Sequence, residues 1–271
     1  MRKKRKGIKM TVGFSETFGF DLDNLENLLK IYNDHPGLNS KEIAELSGIG
    51  RRKVDGLNGW LKQIGFSELQ NKKLSKLGTL IYSYDPYFRN IGTIALVHYK
   101  LCSNPETTIW YEIANVFFES TKKFQRSDLI NFFERKGING KHMNTDVGNF
   151  LEMYSGTNYR GLQKLGYIDV RDNYHYAWPV TRVPPEIIGY CLYDYIERFQ
   201  PETTTSIRRL ITESGRVGKI FKLNKIQIKK KLDALESQGE ITNVKYADID
   251  GISYVLQRKS IEILQSYYES I

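Results

Sequence analysis

Residues 38–66 constrain the fold more than any other stretch. Asn39 or Ser40 is placed to cap a short helix, because a side-chain oxygen there accepts an unpaired backbone N–H. Glu42 falls near the third helical position, where a carboxylate answers the cap and meets the positive helix end. Ile43, Ala44 and Leu46 offer one apolar face, and Gly48 and Gly50 permit a tight turn around Ile49. A second helix is expected from Arg51 to Ile64, with Val54, Leu57, Leu61 and Ile64 at helical spacing on its inner side. Gly65 ends it, and Phe66–Leu69 with Lys72–Leu74 read as a small β wing. A helix-turn-helix followed by a hairpin predicts a winged-helix, DNA-binding unit over residues 21–84. Arg51, Arg52 and Lys53 open the second helix where such motifs meet phosphates or base edges, and Asn58 and Lys62 join them as candidate DNA contacts. The competing reading is a helical hairpin with a merely solvated charged face, and winged helices also dock proteins.

Residues 1–20 form a separate N-terminal segment. Met1-Arg2-Lys3-Lys4-Arg5-Lys6 reads as a basic arm for phosphate contacts, or equally as a frayed solubilising tail. It has a signal peptide's positive start but no apolar stretch behind it. Phe14, Phe18 and Phe20 are placed to pack on the first unit, and Asp21 to cap a helix over Leu22–Tyr32. His35 is a loop residue.

Residues 85–183 read as a central helical, winged-helix-like domain. Helices over Ile91–Leu101 and from Thr107 or Thr108 through Phe117 are apolar nearly all round, which predicts burial at the centre of the molecule. His98 lies on the first of these and reads as a hydrogen-bonded core histidine. Ser127 or Asp128 caps a helix ending near Lys136, Asn144–Tyr154 forms another, and Leu165–Trp178 reads as a hairpin. Asp146 and Glu152 leave the second helix with little positive charge, so a core or partner-binding role is expected here. His142 and His175 read as surface residues.

Pro184-Pro185 marks the start of a C-terminal winged-helix domain, residues 184–271. Helices are expected over Glu186–Phe199, over Ile207–Ser214 after a cap in Thr203–Ser206, and over Lys225–Gln238, where Ile228, Leu232 and Leu235 set the buried stripe. Gly239 ends the last of these. Glu240–Tyr246 and Ile252–Leu256 then form a wing around a loop through Asp250-Gly251, and a helix over Ser260–Tyr268 closes the chain. Lys222, Lys225, Lys229, Lys230 and Lys231 make a basic cluster suited to DNA, or to solvent alone.

The fold class is thus mainly α with small β-hairpin wings, α+β, in tandem winged-helix units. A formal charge of +9 and a pI of about 9.3 favour a polyanionic partner, of which nucleic acid is the commonest. Cys102 and Cys191 stand far apart without a CxxC, which argues against a disulfide framework or zinc site and for a cytoplasmic location. No apolar run is long enough to span a membrane.

A family resemblance rests on Leu77-Gly78, Asp85-Pro86-Tyr87, Thr93 through Leu101, Ser103-Asn104-Pro105 and Trp110-Tyr111. Phe124 through Leu129, Thr145 through Tyr154, and Leu46 through Gly50 with Trp60-Leu61 extend it, colinearly over residues 11–180. These segments resemble domain-of-unknown-function family 4007 (DUF4007) of bacteria. The resemblance implies a setting beside sulfurtransferase-like genes and other genes of DNA modification and phage defence. It carries over no catalytic residue. The family's Gly-His before Glu-Thr-Phe is absent: this chain has Phe14-Ser15-Glu16-Thr17-Phe18.

GxxxxGK[ST], HExxH and GxSxG are all missing, and Gly215–Lys219 lacks P-loop spacing. The expected function is therefore double-stranded DNA binding without catalysis, cofactor or metal, with other proteins of a modification or defence complex as partners. The alternatives are a transcription regulator or plasmid replication initiator, and a scaffold for an acidic protein. A nuclease built from dispersed residues stays open.

Overall fold

The structure is a computed structural model and describes residues 11–68, 70–156, 161–199, 201–246, 249–255 and 257–271. The basic arm and the wing positions Leu69 and Leu256 lie outside these residues. The chain is mainly helical, with three small antiparallel sheets.

The opening motif forms as its local chemistry dictates. Helix α1 (Leu22–Asp34) starts at Asp21, whose carboxylate accepts from Asn24 N–H. Helix α2 (Ser40–Ser47) starts at Asn39 with a full capping box to Glu42, an arrangement that stabilises a helix by about 1 kcal/mol. Gly48 ends α2 at φ 69°, where a side chain would be strained. Helix α3 (Arg51–Gln63) then buries Val54, Leu57, Trp60 and Leu61. Strands β1 (Ser67–Glu68) and β2 (Lys73–Leu74) pair antiparallel behind it. Leu46 departs from the expected apolar face and is 54% exposed, because the short α2 leaves that side uncovered.

Helix α4 (Lys76–Tyr84), not anticipated as a helix, is capped by Ser75 and leads to α5 (Ile91–Ser103). Nearly every residue of α5 is buried, as its all-round apolar pattern predicts. The next helix is α over Thr108–Glu112 (α6), widens to a π turn over Ile113–Phe117, and resumes over Phe118–Ser120 (α7). His98 on α5 is fully buried, with Nδ1 against the Tyr154 hydroxyl at 2.6 Å and Nε2 facing the Ile220 carbonyl. Burial holds its pKa down near 3, so it is neutral.

Two further groups of strands and helices follow one plan. Strand β3 (Lys123–Phe124), helices α8 (Arg126–Arg135) and α9 (Lys141–Ser155), a 3-10 turn at Leu162–Leu165, and the hairpin β4 (Ile168–Arg171) and β5 (Tyr174–Ala177) give a sheet ordered β3-β5-β4. Helix α10 (Pro185–Arg198) precedes β6 (Thr204–Ser206), α11 (Ile207–Thr212), α12 (Val217–Ile220), α13 (Lys225–Ser237) and the hairpin β7 (Ile241–Tyr246) and β8 (Ile249–Tyr254), in a sheet ordered β6-β8-β7. Helix α14 (Ser260–Glu269) closes on α10. Residues 204–206, read as a cap, are a strand as well, and Ser206 still caps α11. Asp250 and Gly251, expected in a loop, pair within β8.

One apolar core takes side chains from every helix and from β2, β3, β4, β5, β7 and β8. A buried ion cluster crosses it: Lys100 on α5 reaches Asp194 on α10 at 2.6 Å, and Arg198 meets the same carboxylate at 2.7 Å. Burial alone would raise the Asp194 carboxyl, but Lys100 and Arg198 outweigh it and hold it below its ordinary range.

Candidate nucleic-acid interface

The basic residues singled out in the sequence lie on three elements, and the structure gives them different surroundings. On α3, Arg51 and Arg52 are exposed, Arg52 lying 3.4 Å from Glu16. Lys53 is partly covered and bonded at 3.0 Å to the Asp21 carboxylate that caps α1. Burial tends to raise Asp21, but Lys53 and the Asn24 bonds hold it below its ordinary value. Lys62 is exposed at the far end of α3, beside a cleft of about 540 Å³ whose rim mixes Lys62 and Lys72 with Asp55 and Glu106.

Asn58 departs from its expected place. It is buried, and its Oδ1 accepts from the Tyr32 hydroxyl at 2.8 Å, so it holds α3 to α1 instead of facing a ligand. A position two turns into α3 and one residue after Leu57 lands on the packed side once α1 crosses there.

Segment 11–20 explains why α3 is less open than its sequence suggests. Gly56 and Gly59 leave a groove along α3 into which this segment settles. A Cβ on Gly56 would sit 2.6 Å from the Ser15 carbonyl oxygen, and one on Gly59 would overlap the Phe14 carbonyl. Phe14 packs edge-on against Trp60 at 4.8 Å and lies 5.5 Å from Trp110. On its other side the segment meets α9, where Asp146 Oδ2 accepts from Gly13 N–H at 2.6 Å. Burial pushes the Asp146 carboxyl up to about 6, against the pull of that bond. Asp146 is therefore an internal anchor and not a surface charge.

Helix α13 is open where α3 is covered. Asn224 caps it in a capping box with Gln227. Lys225, Ile226 and Lys230 are exposed, Ile226 at 81%. Lys225 and Lys229 both reach the Asp250 carboxylate on β8, at 3.1 and 3.2 Å. Hydrogen bonding to these lysines holds Asp250 below its ordinary value. Lys230 makes no ion pair among the described residues. Lys231 is partly buried, and its pKa is lowered by burial and by Lys230.

Lys222 stands apart from the helix cluster. It occupies a left-handed backbone position at φ 55° in the turn between α12 and α13, and its Nζ donates to the Phe118 carbonyl at 3.0 Å. Burial and the nearby Lys122 bring its pKa down to about 8. Lys222 thus faces the seam between the second and third strand–helix groups, not the outer face of α13. Of the glycine–lysine stretch 215–219, Arg216 is fully buried against Glu202, and Lys219 donates to the Thr212 carbonyl, so neither stands free to cradle a phosphate.

Among the described residues no group of three His, Cys, Asp or Glu side chains is placed to hold a metal ion, and no helix is long and apolar enough to cross a membrane. His142 is exposed as expected, while His175 is partly buried and stacks on Phe124 at 5.3 Å.

The family described as "Protein of unknown function (DUF4007)" matches residues 16–268. The chain belongs to this family. The match extends well beyond residue 180, through the C-terminal helices. No curated protein matches the chain. Two solved structures are similar in fold. The "SspB crystal structure" has a TM-score of 0.80 at 18% identity, over 96% of this chain and 88% of that one. The "Magnesium ion-bound SspB crystal structure" has a TM-score of 0.77 at 18% identity, over the same shares. At that identity the likeness is one of fold.

Proposed function

We propose that this protein binds double-stranded DNA through tandem winged-helix units, as a recognition component of a bacterial DNA-modification or phage-defence system. Domain boundaries at 21–84, 85–183 and 184–271 suit this reading. In each of the last two, a strand, two or more helices and a hairpin close a sheet in which the first strand pairs with the last, the usual winged-helix order. The second long helix of each unit would be the recognition helix. The observation that carries the reading is the outer face of α13, where Lys225, Ile226 and Lys230 stand exposed beside the β7–β8 hairpin. Lysines there suit phosphates, and an exposed aliphatic side chain suits a thymine methyl in the major groove.

Arg51, Arg52 and Lys62 on α3 are the second set of contacts. Lys53 and Lys229 contribute less, because the Asp21 and Asp250 carboxylates already engage them, and the central unit supports the other two or docks a partner protein. The role is one of binding in the cytoplasm, without catalysis. A regulator or replication initiator would need the same surface, and differs only in preferring one DNA sequence.

The test is an anisotropy titration with duplex DNA over a salt series, with an acidic polypeptide as control. Binding should weaken steeply with salt, with a log–log slope of about −0.9 per phosphate contact. Charge reversal at Arg51/Arg52 together with Lys229/Lys230 should abolish it. Retained affinity in that variant sinks the site assignment, and equal binding to the acidic control sinks DNA as the partner.

A further inference from the structure

The seam between the second and third strand–helix groups encloses a cleft of about 730 Å³, within the range of small-molecule sites. Its walls are of two kinds. One wall is aromatic, with Tyr176 at the end of β5 and Trp178 just beyond it, the latter 46% exposed. The other is cationic, with Lys122 and Lys222, the former close enough to lower the Lys222 ammonium electrostatically. Lys222 meets no carboxylate within ion-pair distance among the described residues. The acidic group on the rim, Glu119, is already engaged by Lys219 at 3.5 Å. Asn224 and Gln227 also line the cleft, and their side-chain oxygens are taken by each other's backbone N–H, which leaves their amide N–H groups to donate.

Stacking face, paired ammonium groups and amide donors together fit one ligand chemistry. An isolated exposed tryptophan is common, and an isolated lysine pair is usually solvated. Here a half-buried lysine with a like charge beside it opens onto the same cavity as the tryptophan. Like charges so placed repel until an anion sits between them. Aromatic rings beside cations are the surface that unpaired nucleotides use.

We propose that this cleft binds a nucleoside phosphate, with the base stacked on Trp178 and the phosphate held between Lys122 and Lys222. The ligand is either a free nucleotide or one nucleotide unstacked from DNA. The cleft has no lining residue on α3 and meets α13 only at Gln227 and the Asn224 cap, so mononucleotide binding there is read apart from the duplex contacts of Arg51 and Arg52.

The experiment titrates the full-length protein with 5′-deoxynucleoside monophosphates, with the matching nucleosides and inorganic phosphate as controls, by tryptophan fluorescence and calorimetry. Saturable binding is expected that needs both base and phosphate. Trp178→Ala should weaken it about tenfold, the scale of one lost stacking contact. Lys122→Gln should weaken it by a similar factor. It is exposed and so tests the phosphate contact even if Lys222→Gln disturbs folding. A duplex carrying 2-aminopurine separates the sources. A fluorescence rise that Trp178→Ala removes assigns the DNA nucleotide, and mononucleotide binding without that rise assigns the free one. No saturable binding of any mononucleotide and no 2-aminopurine rise overturns the proposal. So does phosphate binding as tightly as nucleotide, or a phosphotyrosine peptide binding more tightly than every nucleotide. Arg51/Arg52 charge reversal should leave mononucleotide binding unchanged, which keeps a failure of duplex binding distinct from a failure here.

Discussion

Helices α3 and α13 carry nearly the same sequence signature, a polar cap or turn, a basic start, an apolar stripe and a hairpin after it, yet they present unlike surfaces. Segment 11–20 lies along α3, drawn in by Gly56 and Gly59, and binds α9 on its other flank through Asp146. Helix α13 has no glycine within it and keeps its outer face open, with Ile226 and Lys230 in solvent. A basic helix start is thus not enough to predict a free basic face. What covers the helix, and which carboxylates reach it, decides how much charge remains.

The comparison can be broken most sharply at Gly59. Gly59→Ala places a methyl group on the Phe14 carbonyl and should destabilise the protein by about 3 kcal/mol in urea unfolding, the upper part of the range for overpacking. Ile226→Ala on the open helix should change stability by less than about 0.5 kcal/mol. Equal effects would mean that segment 11–20 does not cover α3.

The flank at Asp146 gives a pH signature. Its folded-state pKa of about 6 stands above the ordinary 3.8, so folding favours the protonated form. Its stabilisation is present below about pH 4 and is lost as pH rises through about 6, a cost of about 2–3 kcal/mol at neutral pH. Asp146→Asn should flatten the stability profile between those values. An unchanged profile would show that this carboxyl is solvated and that the segment does not dock on α9.

Charge reversal measures the two helices against each other. Lys225→Glu with Lys230→Glu should weaken duplex binding about thirtyfold at moderate salt, and Arg51→Glu with Arg52→Glu about fivefold, each with a shallower salt slope. The reverse order in the same titration would make α3 the principal face. The smallest effect is expected at Asp250. Asp250→Asn releases Lys225 and Lys229 and should raise duplex affinity about twofold to threefold, with about 0.5 kcal/mol of folding stability lost, as for a largely exposed ion pair.

Much of the fold was legible locally. The Asn39–Glu42 box, the Gly48 stop and the α13 stripe act over spacings of three or four residues, so the sequence displays them directly. The all-round apolar character of α5 likewise foretells its central place. Strands β3 and β6 were not legible, because each is only a few residues long and exists by pairing with a hairpin strand about fifty residues away. Helix α4 was missed because it follows β2 with a single capping serine between them. At the candidate interface, Arg51, Arg52, Lys225 and Lys230 stand exposed as their positions suggested, while Asn58 and Lys222 do not.

The sequence alone therefore determined the mainly helical class, the order of the longer helices and of the three hairpins, and membership of the family. Those depend on side-chain periodicity, caps and turn residues within a few positions of one another. Only the tertiary structure decided which charges remain available. Lys53 meets Asp21, Lys229 meets Asp250 and Lys100 meets Asp194 across gaps of about 20 to 90 residues. Such pairings follow from how whole helices pack, since the free energy of an ion depends on what surrounds it in space and not on its neighbours in the chain.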